Sequence, residues 1–76
     1  MKDTREAVAA EVRAAAGRAG LKQSELARLA SMKATTLNRK WNGETAFTVD
    51  ELMRIADALG ISPGTLIPKD SQGIAA

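Results

Sequence analysis

The sequence predicts a small all-α protein built from five helices in one compact domain. A chain of 76 residues is too short for two ordinary domains. Apolar residues make up 45% of it, but Phe47 and Trp41 are the only aromatic ones, so the composition favours closely packed helices over a sheet. Apolar side chains also recur at the three- and four-residue spacing of helices. We place the folded domain at 1–68 and expect a flexible tail at 69–76.

The first helix is predicted at about 4–19. Asp3 or Thr4 can cap its start, and Glu6 is placed to complete a capping box with Asp3. Valine and alanine side chains then recur on one face, which we expect to be buried. Gly20 ends the helix as a left-handed cap.

Two short helices follow at about 23–30 and 34–41, with only three residues between them. A connection this short joins two helices that cross at a steep angle rather than lying side by side. An Asn42-Gly43 turn ends the second of the two. The residues predicted to be buried in this pair are Leu26, Ala27, Ala30, Leu37 and Trp41.

A fourth helix is predicted at about 49–59, and its signals are the clearest in the chain. Thr48 and Glu51 form a capping box at its start, and Gly60 ends it. The apolar stripe predicted on this helix consists of Val49, Leu52, Ile55, Ala56 and Leu59. Ser62-Pro63 then predicts a short fifth helix at about 63–67, closed by a second proline.

The residue types present argue against catalysis and against metal binding. The chain contains no His, Cys or Tyr, which removes most of the side chains used as general bases, nucleophiles or soft metal ligands. We therefore predict neither an enzyme nor a metal site, and no cofactor. A chain without cysteine, and without the 18 or so consecutive apolar residues of a membrane span, is expected in the cytoplasm.

The formal net charge of +2 is unevenly distributed along the chain. The stretch 13–40 holds seven basic residues and one acidic residue, a net charge of +6, whereas the remainder holds four basic and eight acidic residues, a net charge of −4. This asymmetry indicates a polyanionic partner for the basic stretch. On charge alone, a set of ordinary solvated helix faces remains an equal alternative.

The second and third predicted helices have the features of a helix-turn-helix. Ala27 is small where the two helices must approach each other, and apolar anchors at Leu26, Met32 and Leu37 surround a tight turn. The matching motifs are Gly-Leu-x-Gln-x-x-Leu-Ala at 20–27, Trp41-Asn42-Gly43, Thr48-x-x-Glu51-Leu52 and Ile55-Ala56-x-Ala58-Leu59-Gly60-Ile61-Ser62. Over about 8–67 the chain resembles the Cro and lambda-repressor-type, or XRE-like, helix-turn-helix family. The resemblance implies a lambda-repressor-like DNA-binding domain that binds operator DNA as a two-fold symmetric dimer, with the third helix in the major groove.

The resemblance also implies roles for individual side chains. The candidates for contact with base edges, on the face opposite Leu37 and Trp41, are Ala34, Thr35, Thr36, Asn38 and Arg39. The candidates for contact with the DNA backbone are Lys22, Gln23, Lys33, Lys40 and Asn42. Arg39 suits guanine and Asn38 suits adenine, whereas backbone contacts set the register of the protein on the duplex.

The chain departs from the family pattern at three of these positions. Lys22 and Lys33 stand where a small polar residue usually caps the helix, which forgoes a capping bond worth about 1 kcal/mol but adds positive charge for phosphates. Ala34 stands where the family often carries a polar base-contacting residue, so recognition there is expected to be apolar or absent.

Two functions remain open from the sequence. The first is a transcriptional regulator that binds double-stranded operator DNA as a homodimer, either a phage or prophage repressor of the Cro kind or a bacterial relative. The second is an antitoxin, or another protein-interaction module, that masks a protein partner and binds DNA only to regulate its own synthesis. The tail at 71–76 is short and polar and offers such a partner little to capture, which weakens the second interpretation.

Overall fold

The computed structural model describes residues 4–68, which form an all-α domain as the sequence predicts. The elements in chain order are α1 (Thr4–Ala19), α2 (Gln23–Leu29), α3 (Ala34–Trp41), α4 (Val49–Leu59) and a single 3-10 turn (Pro63–Leu66). No strand occurs in the described part of the chain. The predicted cap at Asp3 and the predicted tail at 69–76 lie outside the described residues.

The prediction of a fifth α-helix was wrong, because 63–67 forms only the 3-10 turn. Pro63 has no N–H to donate, and Gly64 is a poor helix former. At the other end Ile67 precedes Pro68, whose ring disfavours helical backbone in the residue before it, and Ile67 is extended with φ −100° and ψ 125°. The turn still serves the fold, since its Leu66 is fully buried.

One apolar core joins the helices. Helix α1 contributes four buried residues to it, and three of these are alanines, which let the neighbouring helices approach closely. The fully or nearly fully buried residues are Ala9, Val12, Ala15, Ala16, Leu26, Ala27, Ala30, Leu37, Ile55, Ala56 and Leu66. Trp41, predicted to be buried, is half-buried and packs against this core.

Helix α4 begins with the predicted capping box. The Thr48 hydroxyl accepts a hydrogen bond from the Glu51 N–H at 3.1 Å, and the Glu51 carboxylate accepts one from the Thr48 N–H at 2.8 Å. The predicted stripe faces the core except for Val49, which is 75% exposed. At about 100° per residue, Val49 lies about 70° from the centre of this stripe, and as the first residue of α4 it stands at the end of the helix, beyond the cover of the core.

The segment after α3 is tied back to α1. Arg13 Nη1 donates to the Trp41 carbonyl at 2.6 Å, and Arg5 Nη1 donates to the Glu44 carbonyl at 3.1 Å. Gly43 is buried between these two contacts. Within residues 4–68 no helix is both long and apolar enough to cross a membrane.

Candidate nucleic-acid interface

Helices α2 and α3 form a compact pair joined by the four residues 30–33. Leu26, Ala27 and Leu37 are buried between them and the rest of the core, as the helix-turn-helix pattern predicts. The Met32 N–H donates to the Ala27 carbonyl at 2.8 Å, which closes the turn onto the end of α2. Inside the turn Ser31 has a φ of 56°, the left-handed region that L-residues rarely adopt.

Arg54 of α4 holds this turn in place, a contact that the sequence reasoning missed. Its Nη1 donates to the Ala30 carbonyl at 3.1 Å and to the Ser31 carbonyl at 3.0 Å, and its Nε lies 3.1 Å from Oδ2 of Asp50. A guanidinium suits the carbonyls that end a helix, because they carry partial negative charge and lack helical donors. The four-residue spacing of Asp50 and Arg54 was a visible signal, but it did not show what Arg54 would reach.

The solvent-facing side of α3 carries most of the predicted base-contacting residues. Ala34, Thr35, Asn38 and Arg39 are exposed, whereas Thr36 is half-buried at the edge of the face. Together with Gln23 of α2, the four exposed residues line one shallow depression. The structure therefore brings these predicted residues onto one surface, which we call the α3 face.

Gln23 is hydrogen-bonded across the α2–α3 pair. Its Nε2 donates to Oδ1 of Asn38 at 3.1 Å, so the first residue of α2 is joined to the middle of α3. This bond restricts the rotamers of the Asn38 amide and leaves its NH2 group as a donor on the α3 face. Gln23 thereby braces α3 against the start of α2.

Three of the predicted backbone-contacting residues are exposed and lie next to the ends of α2 or α3. Lys22 and Lys33 immediately precede α2 and α3, have extended backbone, and make no side-chain capping bond. Their ammonium groups are accordingly not used in capping the helices. Asn42 is also exposed and lies directly after the last residue of α3.

Lys40 lies elsewhere, and we remove it from the predicted contact set. Its ammonium forms an ion pair with the Glu51 carboxylate, and the two side chains are only 13% and 11% exposed. Burial raises the pKa of Glu51, but the Lys40 ammonium and the hydrogen bonds from Thr48 outweigh that effect, so the pKa is lowered from its ordinary value. Glu51 is therefore ionised at neutral pH and neutralises Lys40.

The geometry defines a class of protein: a helix-turn-helix domain whose third helix presents an exposed polar and basic face. The chain belongs to the Cro/C1-type helix-turn-helix DNA-binding domain family, whose model matches residues 12–68. No curated protein matches the chain. In the part of the chain described by the structure, no group of three or more His, Cys, Asp or Glu residues is placed to hold a metal ion.

Several solved structures share the fold at low sequence identity. The clp gene regulator ClgR from Corynebacterium glutamicum is 23% identical with a TM-score of 0.83, covering 97% of this chain and 79% of its own. The hypothetical transcription factor NHTF from Neisseria is 23% identical with a TM-score of 0.81, and the match covers 97% of this chain and 86% of NHTF. The restriction-modification controller protein C.AhdI from Aeromonas hydrophila is 22% identical with a TM-score of 0.78, and the match covers 83% of this chain and 96% of C.AhdI.

Proposed function

We propose that this protein is a transcriptional regulator that reads a specific double-stranded DNA operator by placing α3 in the major groove. The observation that carries the proposal is the α3 face, on which Ala34, Thr35, Asn38 and Arg39 lie exposed on a helix-turn-helix of the Cro/C1 type. An α-helix fits the major groove, where each base pair presents a distinct pattern of donors and acceptors.

Each exposed side chain on the α3 face suits a particular base contact. The Arg39 guanidinium can donate to both O6 and N7 of guanine, and the Asn38 amide, held by Gln23, can donate to N7 of adenine. The methyl groups of Ala34 and Thr35 suit the thymine methyl group. Thr36 is assigned a marginal contact, because it is half-buried at the edge of the face.

Lys22, Gln23, Lys33 and Asn42 are assigned to the DNA backbone. They lie at or next to the ends of α2 or α3 and carry two ammonium groups, which suit phosphate oxygens. The two lysines would neutralise phosphates and release counterions, so each of their contacts steepens the fall of affinity with salt by about 0.9 in log–log slope. They set the register of the protein without reading sequence.

We assign the regulator a repressor's role, of the phage or prophage Cro kind or that of a bacterial relative, acting in the cytoplasm as a homodimer. An eight-residue helix is about 12 Å long and spans few base pairs. The sequence that one α3 can read is therefore too short to distinguish one operator from the many other sites in a genome. Two copies with α3 helices about 34 Å apart would meet successive major grooves of a near-palindromic operator. The words controller, transcription factor and regulator in the names of the similar structures support a regulatory role.

Selection from a random pool of labelled duplexes tests this proposal. We expect enrichment of a near-palindromic site, bound with a steep negative dependence of log affinity on log salt. Without enrichment, and with weak binding that salt abolishes for every duplex alike, the specific regulator would be rejected in favour of a protein-masking function.

Two alanine variants then distinguish contacts with base edges from contacts with the DNA backbone. Arg39→Ala is expected to cost about 1–3 kcal/mol on the selected site and to relax its preference at one base pair. Lys33→Ala is expected to weaken the selected site and a scrambled duplex by the same factor. Equal losses on both duplexes for Arg39→Ala would remove Arg39 from the base-reading set.

A further inference from the structure

The last turn of α3 carries two basic side chains in different surroundings. Arg39 is exposed on the α3 face, whereas Lys40, one residue and about 100° further around the helix, is held by Glu51 of α4. A lysine at the border of a DNA-reading helix would ordinarily add a phosphate contact. Here its charge is neutralised inside the protein.

Glu51 is itself fixed before it meets Lys40. The same carboxylate oxygen, Oε1, accepts from the Thr48 N–H at 2.8 Å and from the Lys40 ammonium, while the Glu51 N–H donates to the Thr48 hydroxyl. The capping box thus presents a preorganised carboxylate to the end of α3. Because the Glu51 side chain is already ordered by the capping box, it loses little further conformational entropy when it binds the Lys40 ammonium.

The contact joins α3 to the helix that also holds the start of the helix-turn-helix turn. Arg54, one turn along α4 from Glu51, donates to the carbonyls of Ala30 and Ser31. Helix α4 therefore contacts the pair at two places through charged side chains: the turn before α3, through Arg54, and the last turn of α3, through Glu51. An ammonium that left Glu51 for a phosphate would release one of these two attachments.

We propose that Glu51 limits the affinity of the protein for DNA of any sequence, because it withholds Lys40 from the DNA backbone and keeps the end of α3 attached to α4. This inference rests on the proposed DNA-reading function. Phosphate contacts strengthen binding to every sequence alike, so one more of them raises non-specific affinity without improving discrimination. Glu51 thereby lowers the affinity for operator and non-operator sequences alike.

Glu51→Gln is the direct test, because glutamine keeps the size of the side chain and an oxygen that accepts the Thr48 N–H. It removes the charge that holds Lys40. On a scrambled duplex we expect the log–log salt slope to steepen by about 0.9 and the affinity at 0.1 M salt to rise several-fold, as for one added phosphate contact. The affinity for the selected site is expected to rise by a similar factor, because a phosphate contact strengthens binding to every sequence alike.

Two further variants serve as matched controls. Lys40→Gln combined with Glu51→Gln removes the released ammonium, and we expect the slope of the unmodified protein to return. Lys33→Gln, which neutralises an exposed lysine at the other end of α3, is expected to make the slope shallower by about 0.9. All slopes are measured at temperatures where circular dichroism shows the variant to be folded.

Chemical labelling of the unmodified protein gives an independent test that requires no substitution. With an acetylating reagent and mass spectrometry, we expect Lys22 and Lys33 to react in the free protein and to be protected by the selected duplex. Lys40 is expected to react slowly both with and without DNA, because Glu51 already holds its ammonium.

Defined outcomes would overturn the inference while leaving the proposed function standing. The first is a salt slope for Glu51→Gln equal to that of the unmodified protein, and the second is a salt slope for the double variant shallower than that of the unmodified protein. The third is a Lys40 that is acetylated readily in the free protein and is protected by DNA. Failure of the proposed function looks different, since the unmodified protein would then select no duplex at all.

Discussion

At the scale of single residues, the positions with positive φ lie where the chain changes direction. Ser31 is the one non-glycine residue with positive φ in the described chain. It lies in the turn between α2 and α3, where its carbonyl accepts a hydrogen bond from Arg54. The left-handed conformation is costly for any residue with a Cβ atom, and the rest of the domain compensates for that cost.

Ser31→Gly is expected to stabilise the protein by about 0.5–1 kcal/mol, because glycine adopts positive φ without the steric penalty. Urea unfolding measures the change. Ser24→Gly, at an exposed position inside α2, is the matched control and is expected to destabilise by about 0.5 kcal/mol. If both variants lost stability, the Ser31 backbone would not be strained in solution.

Gly43→Ala is expected to cost more stability than Gly20→Ala, although both glycines have positive φ, 78° and 72°. A Cβ added at Gly43 would lie 3.2 Å from Cγ and 3.4 Å from Cα of Glu6, whereas one at Gly20 would meet nothing within 4 Å. Both variants are therefore expected to lose about 1 kcal/mol from the backbone alone, and only Gly43→Ala adds a steric clash with α1. Equal unfolding free energies for the two variants would show that α1 moves freely away from this turn.

At the scale of the elements, α3 has one side in the core and an exposed side that is proposed to read DNA. Leu37 is fully buried, whereas Arg39, two residues later, is exposed. The other elements hold the last turn of α3: Arg13 of α1 donates to the Trp41 carbonyl, and Glu51 of α4 binds Lys40. Within these eight residues, Leu37 therefore supports the fold, whereas Arg39 is free of the core and available for the proposed contact with DNA.

Leu37→Ala and Arg39→Ala are expected to differ greatly in their effect on the free energy of unfolding. Leu37→Ala leaves a cavity in the core and is expected to lower the unfolding free energy by about 2–5 kcal/mol. Arg39→Ala is expected to change it by less than about 0.5 kcal/mol, because the side chain is at the surface. Thermal melts of the two variants without DNA make the comparison, and a large loss for Arg39→Ala would mean that it supports the fold.

The Glu51 ion pair predicts a pH dependence of stability. Because its pKa in the folded protein lies below the ordinary value of 4.5, the carboxylate stabilises the fold above about pH 4.5. That contribution is lost as the pH falls through the lowered pKa, when Glu51 becomes protonated. Urea unfolding from pH 7 to pH 2 is expected to show a steeper loss below pH 4.5 for the unmodified protein than for Glu51→Gln. Parallel curves would show that Glu51 titrates normally.

At the scale of the whole molecule, one core serves every element. The buried residues of α1, α2, α3, α4 and the 3-10 turn form a single cluster, so no element has a separate core of its own. The charge is divided differently, with the basic stretch of 13–40 opposed by an acidic remainder. The elements therefore share one core, whereas the basic residues are concentrated in one stretch of the chain, which suits the proposed polyanionic partner.

Unfolding is expected to be two-state, and Trp41 provides the probe. As the only tryptophan, at the end of α3 and packed against the core, it reports the surroundings of α3, whereas far-ultraviolet circular dichroism reports all the helices. We expect the two melting curves to coincide, as they do for a single cooperative unit. An earlier fluorescence transition would show that the helix-turn-helix opens before α1 and α4 unfold.

The sequence by itself determined the helices and most of their limits, because caps, turns and apolar periodicity act over a few residues of chain. The start at Thr48, the end at Gly60 and the exposed side of α3 were all predictable from such local signals. The exception among the elements was the 3-10 turn, where two prolines and a glycine outweighed the helical spacing.

Only the tertiary structure decided which charged groups meet. Periodicity places Lys40 on a side of α3, but it cannot show that Glu51, eleven residues later, is held by its own capping box within reach of that ammonium. Nor can it show that Arg54 reaches the carbonyls of the α2–α3 turn, or that Val49 lies beyond the cover of the core. These outcomes depend on how the helices pack on one another, which is a property of the assembled core and not of any one segment.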